Sequence, residues 1–359
     1  LLPPTSTPTP VPTATPVVTP TLTPVLAQIV RGTAAPIRLK IQDSPSTNDT
    51  PIPTHPPLPN PTETPQPVNV AQKLILEVSQ ASTDEAVSTL EKESSEDAAA
   101  VMESVQTEQA ATIVQEFDTK TAAQIVEKVT SVKAAEIVEV IDSSRAAEIV
   151  EKVQPEKAAN IVQEVESEKA AEIVSLVESK KAAAILDQVS TFKAAEIMSQ
   201  VSDEKAADIV EKVGIEKAAG IVENVESEKA AEIVKKVETV KAAKIVEKVE
   251  SEKAAEIVEK VESEKAAEIV EKVESQKAAE IVEKVESGKA AEIVQKVNSI
   301  KAAAIVQKVN TAKAAEIVSK IESGKAAQIV ENVGSQKAAD IVQSVESNKA
   351  ANIVQSVES

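Results

Sequence analysis

Cysteine, tryptophan and tyrosine are absent from this 359-residue chain, and phenylalanine occurs only at Phe117 and Phe192. Without cysteine there is no disulfide framework and no thiolate for metal binding or nucleophilic catalysis. Histidine occurs once, as His55, which excludes catalysis or metal ligation by clustered imidazoles. Positive charge is also short: 39 basic against 58 acidic side chains leave a net charge of −19. Nucleic-acid binding selects clustered cations and stacking rings, and the chain has neither. The missing tyrosine and tryptophan remove the usual anchors of tight protein binding. No run of 18 apolar residues exists, so no transmembrane helix is expected.

Proline is plentiful but confined. Eighteen of the 19 prolines lie at or before Pro67, and the other is Pro155. Proline fixes its own φ, lacks an N–H and pushes the preceding residue out of the helical region. Residues 1–69 therefore read as a disordered Pro/Thr-rich stalk or linker, extended at about 3.1 Å per residue. The few charges there balance, with Arg31, Arg38 and Lys40 against Asp43, Asp49 and Glu63, so the net charge belongs to the rest of the chain. Stalks of this wording commonly hold a domain away from a membrane or wall. This predicts an extracellular, cell-surface position, with the cytoplasm as the alternative.

Beyond residue 97 one unit, K-A-A-E-I-V-E-K-V-E-S-E, recurs without a slip. The Ala-Ala pair falls at every twelfth residue from 98 to 350, in 22 copies. Residues 70–97 hold degenerate repeats that lead into the array, with Ala86-Val87 in the place of the pair. Counting the first Ala as i, positions i, i+1, i+3, i+4 and i+7 are apolar in every copy. That spacing marks one face of a helix, and Ala, Glu and Lys between the branched residues support it.

A single long helix is excluded by arithmetic. Twelve residues at about 100° each leave the apolar face turned by about 120° per copy, whereas a lasting seam needs a period of seven or eleven. Something must end the helix once per repeat. Position i+9 is Ser or Thr in 19 copies, the exceptions being Pro155, Asp203 and Ile215. Ser, Thr and Asp favour the N-cap and Pro the first turn, so the cap is either i+9 or the residue before it. Glu252 then falls in a first turn and Lys260 in a last turn, as the helix dipole favours, and Glu256 with Lys260 makes an i, i+4 pair. A helix this short is marginal alone. The expected fold is all-α: an α-solenoid or superhelix with one short helix per repeat, each leaning its aliphatic side on the next in line.

The segment Ala146-Ala147-Glu148-Ile149-Val150-Glu151-Lys152-Val153-Gln154-Pro155-Glu156-Lys157-Ala158-Ala159 resembles the repeats of the N-terminal intracellular domain of MgtE magnesium transporters. The resemblance covers about residues 85–359 and implies a superhelix of short helices. In this chain Ser mostly replaces the family's Pro, Val mostly replaces Leu, and neither a CBS pair nor pore helices follow, so no family metal ligand maps onto a numbered position.

Lys precedes the Ala-Ala pair in 18 copies and Arg145 in one, which predicts a solvated basic row. Position i+2 is Glu or Asp in 12 copies, as at Glu256, Glu268 and Glu280. No Asp-x-Asp-x-Asp-Gly loop accompanies these acids, so no metal site, cofactor or catalytic residue is expected. The reading is a non-enzymatic scaffold, spacer or interaction module, binding protein or itself through its charged face or an open C-terminal end. The alternative is an intracellular, Mg²⁺-responsive module. Because the chain opens at Leu1 and stops with a repeat in register, the reading also expects a longer natural protein or an end that pairs.

Overall fold

The structure, a computed structural model, describes residues 70–357. The Pro/Thr-rich segment 1–69 and His55 lie outside the described residues. Those described form 24 α-helices and no strand. Helices α1 (Val70–Gln80) and α2 (Thr83–Leu90) cover the degenerate repeats. From α3 (Ser95–Ser104) to α24 (Ser347–Val357) one helix starts at every twelfth position, so each of the 22 copies gives one helix.

In most copies the break between helices takes two residues, and it needs no glycine. In α16 (Ser251–Lys260) the C-cap is Val261, at φ −78° and ψ 146°. The next residue, Glu262, is extended at φ −56° and ψ 144° and serves as N-cap of α17 (Ser263–Lys272). A β-branched valine is at ease in extended backbone, and Val261 is only 1% exposed, so burying its side chain fixes where the helix stops. Among the described residues no φ is positive. The N-cap is thus position i+8, and the Ser, Thr or Pro at i+9 is the first helical residue, as Pro155 is in α8 (Pro155–Glu164).

The five apolar positions build one continuous core. In α16 these are Ala254, Ala255, Ile257, Val258 and Val261, none more than 5% exposed. The expectation that each helix packs mainly on the next in line is corrected. Backbones approach most closely between helices two apart, such as α14 (Ser227–Lys236) with α16, and α16 with α18 (Ser275–Lys284). Odd and even helices therefore form two rows, and the paired alanines, lacking bulk, let neighbours within a row come close. A two-residue extended link carries the chain out of one row and into the other. Toward the last helix burial thins, with Val354 46% and Val357 43% exposed.

Truncating a central core side chain tests this packing. Ile257→Ala removes a side chain with no exposed surface and is expected to cost about 3 kcal/mol in urea unfolding. Amide exchange should accelerate chiefly in α14, α16 and α18, because stability in a repeat array is local.

Candidate interaction surface

With the five repeating apolar positions consumed by the core in nearly every copy, chemistry is left mainly to the charged and hydroxyl side chains, and many of these are already engaged. The lysine before each Ala-Ala pair is not part of a solvated row. It is half-buried and donates to the i+7 carbonyl at the end of the helix three units back, in most copies the C-cap. Lys253 reaches Val225 at 2.5 Å, Lys265 reaches Val237 at 2.9 Å and Lys133 reaches Val105 at 2.8 Å. The same bond recurs at every repeat from Lys133 to Lys349, with Arg145 standing in once at Phe117. Helix ends leave carbonyls unpaired, and here a distant ammonium pairs one of them. Burial pushes Lys157, Lys181, Lys217, Lys301 and Lys325 below the ordinary lysine value, against the pull of nearby carboxylates.

A second bond closes the same junction from the other side. The acid or amide at i+5 accepts the backbone N–H of the N-cap residue three helices further on. Glu223 takes the N–H of Glu250 at 2.9 Å, and Glu271 that of Asn298 at 3.0 Å. Taken together, α13 (Ile215–Asn224) and its C-cap Val225 meet the start of α16 through two reciprocal bonds. The negative end of one helix dipole faces the positive end of another.

Two further ladders run along the rows. The hydroxyl at i+9, expected as a possible cap, instead donates to the carboxylate at i+2 of the helix two units on: Ser251 to Glu280 at 2.8 Å, Thr239 to Glu268 at 3.0 Å. Lysines at i+6 pair back with a first-turn acid of the helix two units earlier. The expected Glu256–Lys260 pair is replaced by Lys260 with Glu228 at 2.5 Å, and Lys284–Glu252 and Lys296–Glu264 follow suit. A neighbouring helix of the row presents its carboxylate closer than the next turn does. The hydrogen bonds from these lysines hold Glu228, Glu252 and Glu264 below the ordinary carboxylate value of 4.5.

Arg145 shows how narrow the junction is. Its Nη2 reaches the Phe117 carbonyl and its Nη1 reaches Thr119 and Glu148, yet its buried Nε has no partner. An ammonium fits where a guanidinium leaves a donor over. Among the described residues no group of three acidic, His or Cys side chains is placed to hold a metal ion. Nor is any helix there long and apolar enough to cross a membrane.

Twenty-two short helices of one design, most of them joined by the same pair of bonds, define an α-helical repeat solenoid. The sequence profile of the MgtE intracellular N domain matches it four times, over residues 81–178, 153–246, 225–312 and 285–359. The chain belongs to that family. The matches begin at positions that differ by whole multiples of twelve, so each is a new window on the same periodic array. A crystal structure of an engineered protein from the Northeast Structural Genomics Consortium aligns with 81% of this chain and 99% of its own. Its identity is 16% and its TM-score 0.24, too low to bear on the fold. No curated protein matches the chain.

Three outcomes follow from these ladders. Lys253→Met strands a buried carbonyl and is expected to cost about 1–3 kcal/mol, while Lys260→Met, at an exposed pair, changes the urea midpoint little. Arg145→Lys should raise stability by removing the orphaned Nε. Acid should act through the row carboxylates. Their folded values lie below 4.5, so as pH falls the unfolded chain takes up protons first and the folded state loses ground. Above that point, approach to the isoelectric point near 4.7 relieves the net charge of −19 and works the other way. The thermal midpoint, followed by circular dichroism, should hold or rise down to about pH 5 and then fall. The fall should shrink when Lys260, Lys284 and Lys296 are all changed to Met.

Proposed function

We propose that this chain is a non-enzymatic scaffold or spacer, a helical array whose copy number is its working property, displayed at a cell surface by its Thr/Pro-rich segment. The observation that carries this reading is the cation–carbonyl bond repeated in every copy from Lys133 to Lys349, on one unbroken period. Each added pair of repeats brings its own core and clasps, so the array can lengthen without redesign. Grooves among the described residues are shallow and lined by the same few residue types, a surface suited to extended, electrostatic contact rather than to a reaction. The composition of residues 1–69 supports surface display.

Family membership favours a second reading, an intracellular module that responds to Mg²⁺. The two part on simple measurements. Excising Ala254–Lys277, two whole repeats, should leave helicity per residue and the unfolding midpoint unchanged while shortening the maximum dimension in X-ray scattering. Further two-repeat excisions should each subtract the same length, and loss of helicity on the first would sink the spacer reading. A thermal midpoint that climbs several degrees with millimolar Mg²⁺ would favour the second. Cleavage of the array by protease added to intact cells tests the surface position.

A further inference from the structure

Both row ladders fail together at one stretch of the odd row. There the hydroxyl–carboxylate step is intact from Ser167 to Glu196 and again from Thr239 to Glu268. Between these, α11 (Thr191–Gln200), α13 and α15 (Thr239–Lys248) lack it twice in succession. Thr191 faces Gly220, where an added Cβ would lie 2.6 Å from the threonine methyl. Ile215 stands in the hydroxyl position, and Lys244 stands where 12 other copies have an acid. The lysine–glutamate step fails here too, because Val240 occupies the place from which a carboxylate would meet Lys272. Lys244 and Lys272 thus have no hydrogen-bond or ion-pair partner among the described residues.

These departures converge on one groove of about 510 Å³. Ile215, Val240 and Ala243 line it with apolar surface, and both unpaired lysines line it as well. Val240 is 43% exposed, and Phe192 on α11 is 67% exposed at the same register of the row. The acids around the groove are largely committed. Glu216 is held by Lys248 at 3.0 Å, and Glu247 accepts the backbone N–H of Glu274 at 2.9 Å. Only the Glu274 carboxylate lacks a cap bond, and it lies in the field of Lys301.

We infer that this groove binds a small amphiphilic anion, an apolar body carrying one carboxylate or sulfonate. The apolar body covers Ile215, Val240 and Ala243, and the acid group supplies the charge that Lys244 and Lys272 lack. Two free cations on an apolar wall specify that pairing of properties. The site lies on the otherwise acidic array, so recognition depends on local field; at about 0.15 M salt, charges beyond about 8 Å are largely screened.

The test uses variants that restore the consensus and so should not harm folding. 8-Anilinonaphthalene-1-sulfonate is titrated into the full chain by fluorescence, with decanoate as competitor. Saturable binding, displaced by decanoate, is expected. Val240→Glu gives Lys272 its missing partner and Lys244→Glu restores the usual acid, and each should weaken binding by about tenfold or more. Their thermal midpoints should equal or exceed that of the parent, which separates loss of the site from loss of the fold. Lys244→Met, which keeps the apolar wall, should weaken the probe while leaving a neutral dye such as Nile red unaffected. Non-saturating fluorescence, or binding unchanged in the restored variants, would overturn the assignment.

Discussion

The fold depends on one junction: an ammonium from one helix on the terminal carbonyl of another three units back, answered in most copies by a carboxylate or amide on the returning N–H. Ten-residue helices leave a large share of their backbone groups unpaired at the ends. Local caps are scarce here. The N-cap positions from Glu226 to Glu286 carry glutamates that make no cap bond of their own. The array replaces local capping with capping from a distance, so the bond that finishes a helix also fixes the superhelical return. An isolated repeat lacks both its core and its caps, and for that reason the repeat is not a folding unit.

The departures from regularity follow the same logic. Where Lys235 stands at i+5 in place of an acid, the N-cap it faces three helices on is Glu262, and the two pair at 2.9 Å. The roles of side chain and partner are exchanged while the contact survives. Arg145 keeps its carbonyl but strands Nε, a cost that eighteen lysines at the equivalent position avoid. Selection at these positions is for an ammonium on a flexible stem, reaching a site too narrow for a planar fork.

Much of this was open to a reader of the sequence. The period, the helical face and the break at each dozen residues all lie within a single copy, and Pro155 already pointed to i+9 as a first helical residue. What a single copy could not reveal is any contact between helices two or three units apart. Those contacts depend on how two extended residues turn the chain between rows, a geometry that composition does not encode. Lysine was accordingly read as a solvated basic row, serine as a possible cap and Lys260 as the partner of Glu256. The last two assignments chose the nearest partner along the chain, where the packed array offered one nearer in space, and the first overlooked a carbonyl three helices back.

A side chain that does the same task in every copy cannot distinguish one stretch of the array from another. The core, the clasp lysines and the i+5 acids are therefore poor places to look for recognition, however regular they are. Specificity has to reside where a copy departs from its neighbours without damaging the clasp. Ile215, Gly220, Val240 and Lys244 meet that condition. Lys217 and Lys241 still hold their carbonyls at Val189 and Val213, and the core beneath them is as buried as elsewhere. The fold is untouched there, while the surface has lost two consecutive hydroxyl rungs and a lysine rung beside them. Rungs are missing elsewhere too, as in the even row, where the steps from Pro155 to Ala184, Ser179 to Asp208 and Asp203 to Glu232 all lack the hydroxyl–carboxylate bond. The losses on that stretch leave Lys180 without a hydrogen-bond or ion-pair partner among the described residues. Around Val240 they leave two lysines unpaired on an apolar wall, and that combination is what periodicity alone does not explain.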